Sequence, residues 1–247
     1  MSTFRDQADK IKSKYKDLNE AHPNLLCGWR FLYTPANTFT CPNRLMFLGL
    51  NPACNSIRDS TTINTAIEEV KAGNAYLVEP WGKNLQIQVT ELFKKLALSR
   101  VGDRASNDFE KLMNETLTSN FCPFQSHSWD KLPKDVHNEV VAFSTDLWTG
   151  IIPEIKPRLI LCMGSLQYPY LKGILDKIPS ESFQKDELET NWGKPGKIKF
   201  AICQYKFAEW TTTLARFPHL STYKLLGSEK CRSNLDKFIA QLADAAV

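Results

Sequence analysis

Four short segments of strand length, separated by helical patterns, constrain the fold of this chain most strongly. They lie at residues 44–50, 117–121, 158–163 and 198–203. Helical patterns lie before, between and after them, at residues 4–20, 61–73, 84–98, 136–148 and 228–244. Continuous apolar segments such as 44–50 are typical of strands that are covered on both faces, as in a parallel sheet. We therefore expect the α/β class, with a central, mostly parallel four-stranded sheet in a three-layer α/β/α sandwich.

The chain of 247 residues shows no internal repeat, low-complexity tract or clear linker. Its composition, 43% hydrophobic and 23% charged, is sufficient for a sizeable buried core. We therefore predict a single domain over residues 1–247, in which residues 1–43 form an N-terminal helix and loop extension.

Charge and cysteine content narrow the class of function. The formal net charge of +4 is mildly basic and allows a local surface for a polyanion such as DNA. The seven cysteines are an odd number and contain no Cys-x-x-Cys pair, so zinc ribbons and redox motifs find no support. We expect reduced thiols, no metal, and a cytoplasmic, reducing compartment.

Other classes find equally little support. The N-terminal residues lack the apolar core of a signal peptide, and no segment approaches the apolar length of a membrane span. Glycine loops of the G-x-G-x-x-G or P-loop kind are missing from the sequence, which counts against a nucleotide cofactor. We expect a soluble monomer that needs no cofactor and has no membrane partner.

Ligands of open α/β sheets bind beyond the carboxyl ends of the strands, and this rule selects three segments. The first is Gly-Leu-Asn-Pro-Ala at residues 49–53. Asn51 precedes a proline, which favours an extended backbone at the strand end. Its amide could there orient a water molecule. Taken alone, a strand-terminating turn is the simpler interpretation.

The second segment is Asn-Phe-Cys-Pro-Phe at residues 120–124. The amide of Asn120 offers both a hydrogen-bond donor and an acceptor, and the edge of a pyrimidine presents both. Either Phe121 or Phe124 could stack on such a base. An asparagine near a strand end is weak evidence by itself.

The third segment contains Pro-His-Leu-Ser at residues 218–221, which predicts a compact turn. It carries the His219 imidazole, and the cations of Arg216 and Lys224 flank it. In a nucleic-acid enzyme Leu220 could act as a wedge in the base stack, with Ser221 and the two cations on phosphates. The alternative is a loop in which the leucine enters the core and the histidine is solvated.

These three segments, in this order and on this strand pattern, resemble the uracil-DNA glycosylase superfamily. Residues 49–53 are similar to the Gly-Ile-Asn-Pro-Gly motif of its mismatch-specific branch. Residues 156–164 match the family element of Lys-Pro, a strand and a glycine, and residues 217–221 stand where the family has its His-Pro-Ser or Asn-Pro-Ser loop. The resemblance spans residues 44–226 and implies excision of a pyrimidine base from DNA.

The departures from the family pattern bear on the substrate. Asn51 replaces the aspartate of the uracil-specific enzymes, and the histidine is displaced to position 219 behind Phe217. Ala53 and Cys54 follow the proline where those enzymes carry a tyrosine that excludes 5-substituted pyrimidines. The resemblance therefore implies a pocket that tolerates a 5-substituted cytosine, such as the glucosylated hydroxymethylcytosine of phage DNA that one branch excises in antiviral defence. Mismatch-specific relatives also lack the tyrosine, so a mismatched base or uracil stays open.

The resemblance also implies a role for each residue. The nucleotide is flipped out of the duplex, Asn120 reads its polar edge, and Leu220 fills the gap. His219 donates to the base carbonyl as the glycosidic bond breaks, and Asn51 positions the attacking water. Asp59 or Glu79 could supply a carboxylate, although a surface acid is the simpler interpretation of each. A hydrolase of free nucleosides and a non-catalytic DNA-binding module on the same fold are the competing hypotheses.

Overall fold

The computed structural model describes residues 3–40, 45–53, 65–80, 84–101, 108–178, 184–191, 199–222, 225–226, 229 and 232–246. The α-helices within these ranges are α1 (Phe4–Ala21), α2 (Ala75–Val78), α3 (Asn84–Val101), α4 (Asp108–Glu115), α5 (Lys134–Ile155), α6 (Tyr168–Leu175) and α7 (Arg232–Ala246), and two short 3-10 helices cover Ala36–Thr40 and Trp129–Lys131. The strands are β1 (Leu26–Arg30), β2 (Leu45–Gly49), β3 (Thr65–Ile67), β4 (Leu117–Asn120), β5 (Phe124–Ser126), β6 (Leu159–Met163), β7 (Gln184–Asn191), β8 (Lys199–Lys206) and β9 (Thr211–Phe217).

The larger sheet has the strand order β4-β2-β6-β9-β8-β7. Its first four strands are mutually parallel, whereas β8 runs antiparallel to both β9 and β7. A smaller sheet has the order β3-β1-β5. The carboxyl ends of β4, β2, β6 and β9 therefore meet at one edge of the larger sheet, where the rule for open α/β sheets places a ligand.

The alternating side chains of β2 explain why this strand is apolar throughout. Met46 and Leu48 belong to a core shared with α1, α5 and α6, and Leu45 and Phe47 belong to a core shared with α3, α4 and α7. Strand β6 divides in the same way. Because helices cover both faces of the sheet, the predicted α/β class and three-layer α/β/α sandwich are confirmed.

Two of the predicted elements differ in the structure, and strand β1 lies in the segment that was expected to be a loop. The helix expected over residues 61–73 is wrong, because its described part contains β3, which pairs in parallel with Gly28–Arg30 of β1, followed by turns. The described part of the segment 198–203, from Lys199 on, does form a strand, but it belongs to the antiparallel β8. The fourth parallel strand is β9, which begins with three consecutive threonines. The sheet is consequently larger and more mixed than the four strands expected.

The described cysteines are buried, reduced thiols. Cys27, Cys122, Cys162 and Cys203 are buried and form no disulfide. Burial raises the pKa of the Cys122 thiol to about 12, so it is unreactive at neutral pH. Among the helices of the described residues, each is too short or too polar to cross a bilayer.

Candidate functional site

The pairing of parallel strands brings the predicted loops together. Gly49 and Asn120 are direct neighbours across β2 and β4, and Met163 and Phe217 are direct neighbours across β6 and β9. The loops that follow these residues leave the same edge of the sheet. This register carries Asn51 and His219 to the edge at which Asn120 ends its own strand.

A cavity of about 580 Å³ lies at this edge. Three groups of described residues line it. The strand-end loops contribute Leu50, Asn51, Pro52, Ala53, Asn120, Met163, His219 and Ser221. The segment around β5 contributes Gln125, Ser126, His127, Ser128 and Trp129, and the remaining wall consists of Arg30, Tyr33, Tyr76, Asn84 and Leu85. The two predicted amides and the predicted imidazole thus share one cavity, with Asn120 at the end of β4 and Asn51 and His219 in two loops.

The side chain of Asn120 is buried and tightly held. Its Nδ2 donates to the Tyr33 hydroxyl over 2.9 Å. Its Oδ1 lies against the backbone of Gly49, where an ideal Cβ would stand only 2.1 Å from that oxygen. Burial raises the pKa of the Tyr33 phenol, which therefore keeps its proton at neutral pH. The amide is fixed from two sides before any ligand arrives.

The side chain of Asn51 is held by the neighbouring β5 segment. Its Nδ2 donates to Ser126 Oγ over 3.0 Å and to the carbonyl oxygen of Pro52 over 3.3 Å. An isolated parallel bridge between Ala53 and Ser126 fastens the same loop. Both hydrogen bonds to described residues use the amide nitrogen, so Asn51 Oδ1 can accept from a water molecule or ligand in the cavity.

His219 is half-buried, and its ring meets the hydroxyl of Ser221. Nδ1 lies 2.6 Å from Ser221 Oγ. Burial lowers the pKa of the imidazole below its ordinary value, which favours the neutral ring at neutral pH. When Ser221 donates to Nδ1, the ring proton is on Nε2, which can then donate to a ligand.

Sequence reasoning missed a largely buried ion pair, one partner of which, Arg30, lines the cavity. Arg30, at the end of β1, makes two hydrogen bonds to the Glu79 carboxylate, one of which joins Nη1 and Oε2 over 3.1 Å. Its guanidinium lies over the Tyr33 ring, 3.9 Å from the centroid. Tyr76 stacks on Tyr33 at a centroid distance of 6.0 Å. These contacts fix the phenol that in turn holds Asn120.

The only signal for this group in the sequence is an arginine at the end of an apolar segment, Leu-Cys-Gly-Trp-Arg. A charge in such a segment is costly to bury without a partner, so it indicates an ion pair. The prediction assigned these residues to a loop and therefore did not use the signal. Glu79, considered as a source of a catalytic carboxylate, is instead the partner of Arg30.

The stacking role expected of Phe121 or Phe124 is wrong, because both rings are buried in the core away from the cavity. Phe121 stacks on Tyr170 with centroids 5.4 Å apart, and Phe124 packs against Phe143. Trp129, at the start of a short 3-10 helix after β5, does line the cavity. It therefore supplies an aromatic surface where the two phenylalanines do not.

The exposed leucine expected at position 220 is also wrong. Leu220 is 0% exposed and belongs to the core that contains Phe217 and α7. The alternative hypothesis, that this leucine enters the core, is therefore confirmed. Arg216 lies with its guanidinium 5.1 Å from the centroid of the Tyr168 ring, and it is not among the residues that line the cavity.

Some of the remaining predicted residues line the cavity, and the others lie in segments outside the described residues. Ala53 and Ser221 line the cavity. Cys54, Asp59 and Lys224 lie outside the described residues. Within the described ranges, the His, Cys, Asp and Glu side chains form no group of three or more that could hold a metal ion.

Comparison of the chain with protein-family models and with curated proteins finds no match.

Proposed function

We propose that this protein is a DNA glycosylase that flips a pyrimidine base out of DNA and hydrolyses its N-glycosidic bond. The observation that carries the proposal is the convergence of Asn51, Asn120 and His219, from three separate strand ends, on one cavity of about 580 Å³. Such a volume is ordinary for a small-molecule site. We propose further that the protein acts on DNA as a monomer in the cytoplasm.

The preferred base is a modified or mismatched pyrimidine. The cavity exceeds the needs of a flat, unsubstituted ring, and Ala53 contributes only a methyl group to its wall. A substituent on C5, as in glucosylated hydroxymethylcytosine, fits such a wall better than it fits a bulky aromatic side chain. Uracil and a mismatched base are the smaller candidates for the same site.

Recognition of the base is assigned to Asn120. One N–H of its amide is committed to the Tyr33 hydroxyl, and the same group offers a second N–H and a carbonyl oxygen. Because Gly49 and Tyr33 fix the amide, little conformational entropy is lost when it reads a base edge. Trp129 is assigned the stacking surface in place of Phe121 and Phe124.

Stabilisation of the leaving group is assigned to His219. Cleavage of the glycosidic bond places negative charge on the departing base and positive charge on the sugar. A donor aimed at the base carbonyl stabilises this transition state more than the ground state. The neutral imidazole with its proton on Nε2, supported by Ser221 at Nδ1, has this property.

The attacking water is assigned to Asn51 Oδ1. Among the described residues that line the cavity, none is an aspartate or glutamate. An amide cannot remove a proton from water at neutral pH, so it acts by position alone. Most of the rate enhancement is then assigned to stabilisation of the departing base by His219, and the base anion takes up the proton that the water loses as its oxygen bonds to the sugar.

A base-release assay tests the proposal directly. Duplex oligonucleotides carrying one uracil, one thymine opposite guanine, one 5-hydroxymethylcytosine or one glucosylated 5-hydroxymethylcytosine are incubated with the protein and treated with hot alkali. We expect strand cleavage at one or more of these bases and none at unmodified cytosine. Uncut DNA across the panel would overturn the proposal. Salt-dependent DNA binding without cleavage would then favour a non-catalytic module, and turnover of free nucleosides would favour a nucleoside hydrolase.

A further inference from the structure

One large apolar side chain projects from the loop that follows β6. Leu166 is 50% exposed. Large apolar residues with comparable exposure are few in the described part of the chain, and the others are Val78, Ile87 and Leu98. Those three lie in helices, whereas Leu166 lies in a turn at the cavity edge of the sheet. Singly exposed apolar residues are common on protein surfaces, so the place of Leu166 beside the cavity, and not its exposure alone, bears on function.

The position of Leu166 matches that of the buried Leu220. Each leucine lies three residues beyond the end of a strand, Leu166 after Met163 and Leu220 after Phe217, and these two strand ends are direct neighbours. Met163 lines the cavity. Of the two neighbouring loops, only the one after β6 turns its leucine outward.

The turn that carries Leu166 is close to the imidazole of the cavity. Gly164 has a φ of 108°, a conformation that favours glycine, and its N–H donates to the Phe217 carbonyl oxygen over 2.7 Å. An ideal Cβ on Gly164 would lie 3.6 Å from Cδ2 of His219. Leu166 is therefore anchored one short turn away from the side chain assigned to the base carbonyl.

The other end of the turn is anchored as well. Gln167 is fully buried, and its Nε2 donates to the carbonyl oxygens of Met163 and Leu48. The exposed leucine thus stands between a glycine and a glutamine that are both hydrogen-bonded to the sheet. A side chain on such a support can push against a base stack without the loop giving way.

We propose that Leu166 is the wedge that enters the duplex beside the flipped nucleotide and fills the gap left in the stack. A wedge must be apolar, exposed, rigidly supported and next to the pocket that receives the base, and Leu166 meets each requirement. It stands beside the cavity and not among its lining residues. This inference rests on the proposed glycosylase function, since a wedge has a purpose only if a base is extruded.

The test compares Leu166→Ala with Leu98→Ala, a control at a leucine that is 49% exposed on α3 and does not line the cavity. Base release is measured on a duplex and on a single strand of the same sequence. Extrusion is followed separately by the fluorescence of 2-aminopurine placed beside the target base. We expect Leu166→Ala to lower release from duplex by about tenfold and release from the single strand by less than about twofold. Leu166→Met should restore most of the duplex rate.

Each other result has a defined meaning. Equal losses on duplex and single strand, or an equal loss in Leu98→Ala, would overturn the wedge while leaving the glycosylase proposal in place. A Leu166→Ala protein that releases base and raises 2-aminopurine fluorescence as the wild type does would have the same effect. A wild-type protein that neither releases a base nor raises fluorescence on duplex would overturn both.

Discussion

The Oδ1 atom of Asn120 occupies the space in which a Cβ on residue 49 would lie, since an ideal Cβ built on Gly49 stands 2.1 Å from it. The two residues are direct neighbours across parallel strands. Glycine at this position is therefore required by the neighbouring amide. The backbone of β2 and the Tyr33 hydroxyl hold the base-reading group between them.

Gly49→Ala should displace the Asn120 amide and weaken its hydrogen bond to Tyr33. We expect a loss of unfolding free energy of about 1–3 kcal/mol, as for other overpacked interiors, with a larger loss in base release. Urea denaturation and the alkali-cleavage assay measure the two effects. Gly150→Ala is the matched control, because a Cβ there meets nothing within 4 Å and alanine favours the surrounding helix. Full base release by Gly49→Ala would contradict the role given to Asn120.

The ion pair between Arg30 and Glu79 supplies a second prediction. The Arg30 side chain is 7% exposed and that of Glu79 is 28% exposed. Removing one partner of a largely buried pair leaves the other charge uncompensated. Glu79→Gln should therefore lower the unfolding free energy by about 1–3 kcal/mol, less than for a fully buried pair.

The control for this variant is Glu20→Gln, which removes the exposed partner of Lys16 on α1. It should leave the urea midpoint unchanged. Because Arg30 lies over the Tyr33 ring, Glu79→Gln should also weaken base release. Stability and activity that match the wild type would show that Arg30 does not need this carboxylate.

The fold could be predicted from those segments whose residue pattern alone indicates how they are buried. Strands β2 and β6 are apolar throughout, which indicates burial on both faces of the sheet. This pattern alone predicts an α/β sandwich. Strand β9 gives no such signal, because its threonines are compatible with a strand, a turn or a surface segment. Strand β1 contains Gly28 at a φ of 133°, and it is a strand because β3 and β5 pair with it. The residue pattern of one segment does not show which distant segment will pair with it.

The candidate site divides in the same way. Asn51 and His219 follow strands and Asn120 ends one, and the geometry of a parallel sheet brings strand ends to one edge whatever the other contacts are. Arg30, Tyr33 and Trp129 reach the cavity only through the smaller sheet and its connections. The direction of a side chain in a turn is equally undetermined by sequence. The sequence therefore does not decide whether Leu220 is exposed or buried, and the structure has it buried in the core.

The lowered pKa of His219 predicts a dependence of stability on pH. Burial disfavours the charged imidazole, so the unfolded chain binds the proton more readily than the folded protein does. In the window between the lowered folded pKa and the ordinary value of about 6.5, stability rises as pH rises. Above that window His219 does not affect the unfolding free energy, and below it the protein has lost the whole contribution.

His219→Gln should remove this part of the pH dependence. The difference in unfolding free energy between wild type and variant, measured by urea denaturation from pH 7.5 down to about 5, isolates it from the other groups. NMR titration of the His219 ring gives the pKa independently. A value at or above 6.5 would show that the ring is protonated as easily as in a peptide.

Asn51→Ala should separate chemistry from binding. Loss of an oriented water is expected to lower base release by about 100-fold or more, whereas DNA affinity changes little because phosphates dominate it. Single-turnover cleavage and fluorescence anisotropy at fixed salt measure the two quantities. Asn138→Ala, on the exposed face of α5, is the control. Undiminished cleavage by Asn51→Ala on a confirmed substrate would place the water elsewhere.

Leu220→Ala distinguishes a core side chain from a wedge. Leu220 is 0% exposed among the residues of the core below β9, so truncation leaves a cavity and should cost about 2–5 kcal/mol of unfolding free energy. Leu166→Ala removes as many atoms from a half-exposed turn and should leave the urea midpoint nearly unchanged. Because His219 and Ser221 flank Leu220, the first variant should also lower release from duplex and single strands alike. If Leu220→Ala were as stable as the wild type and impaired on duplex alone, this leucine would be acting on DNA from outside the core.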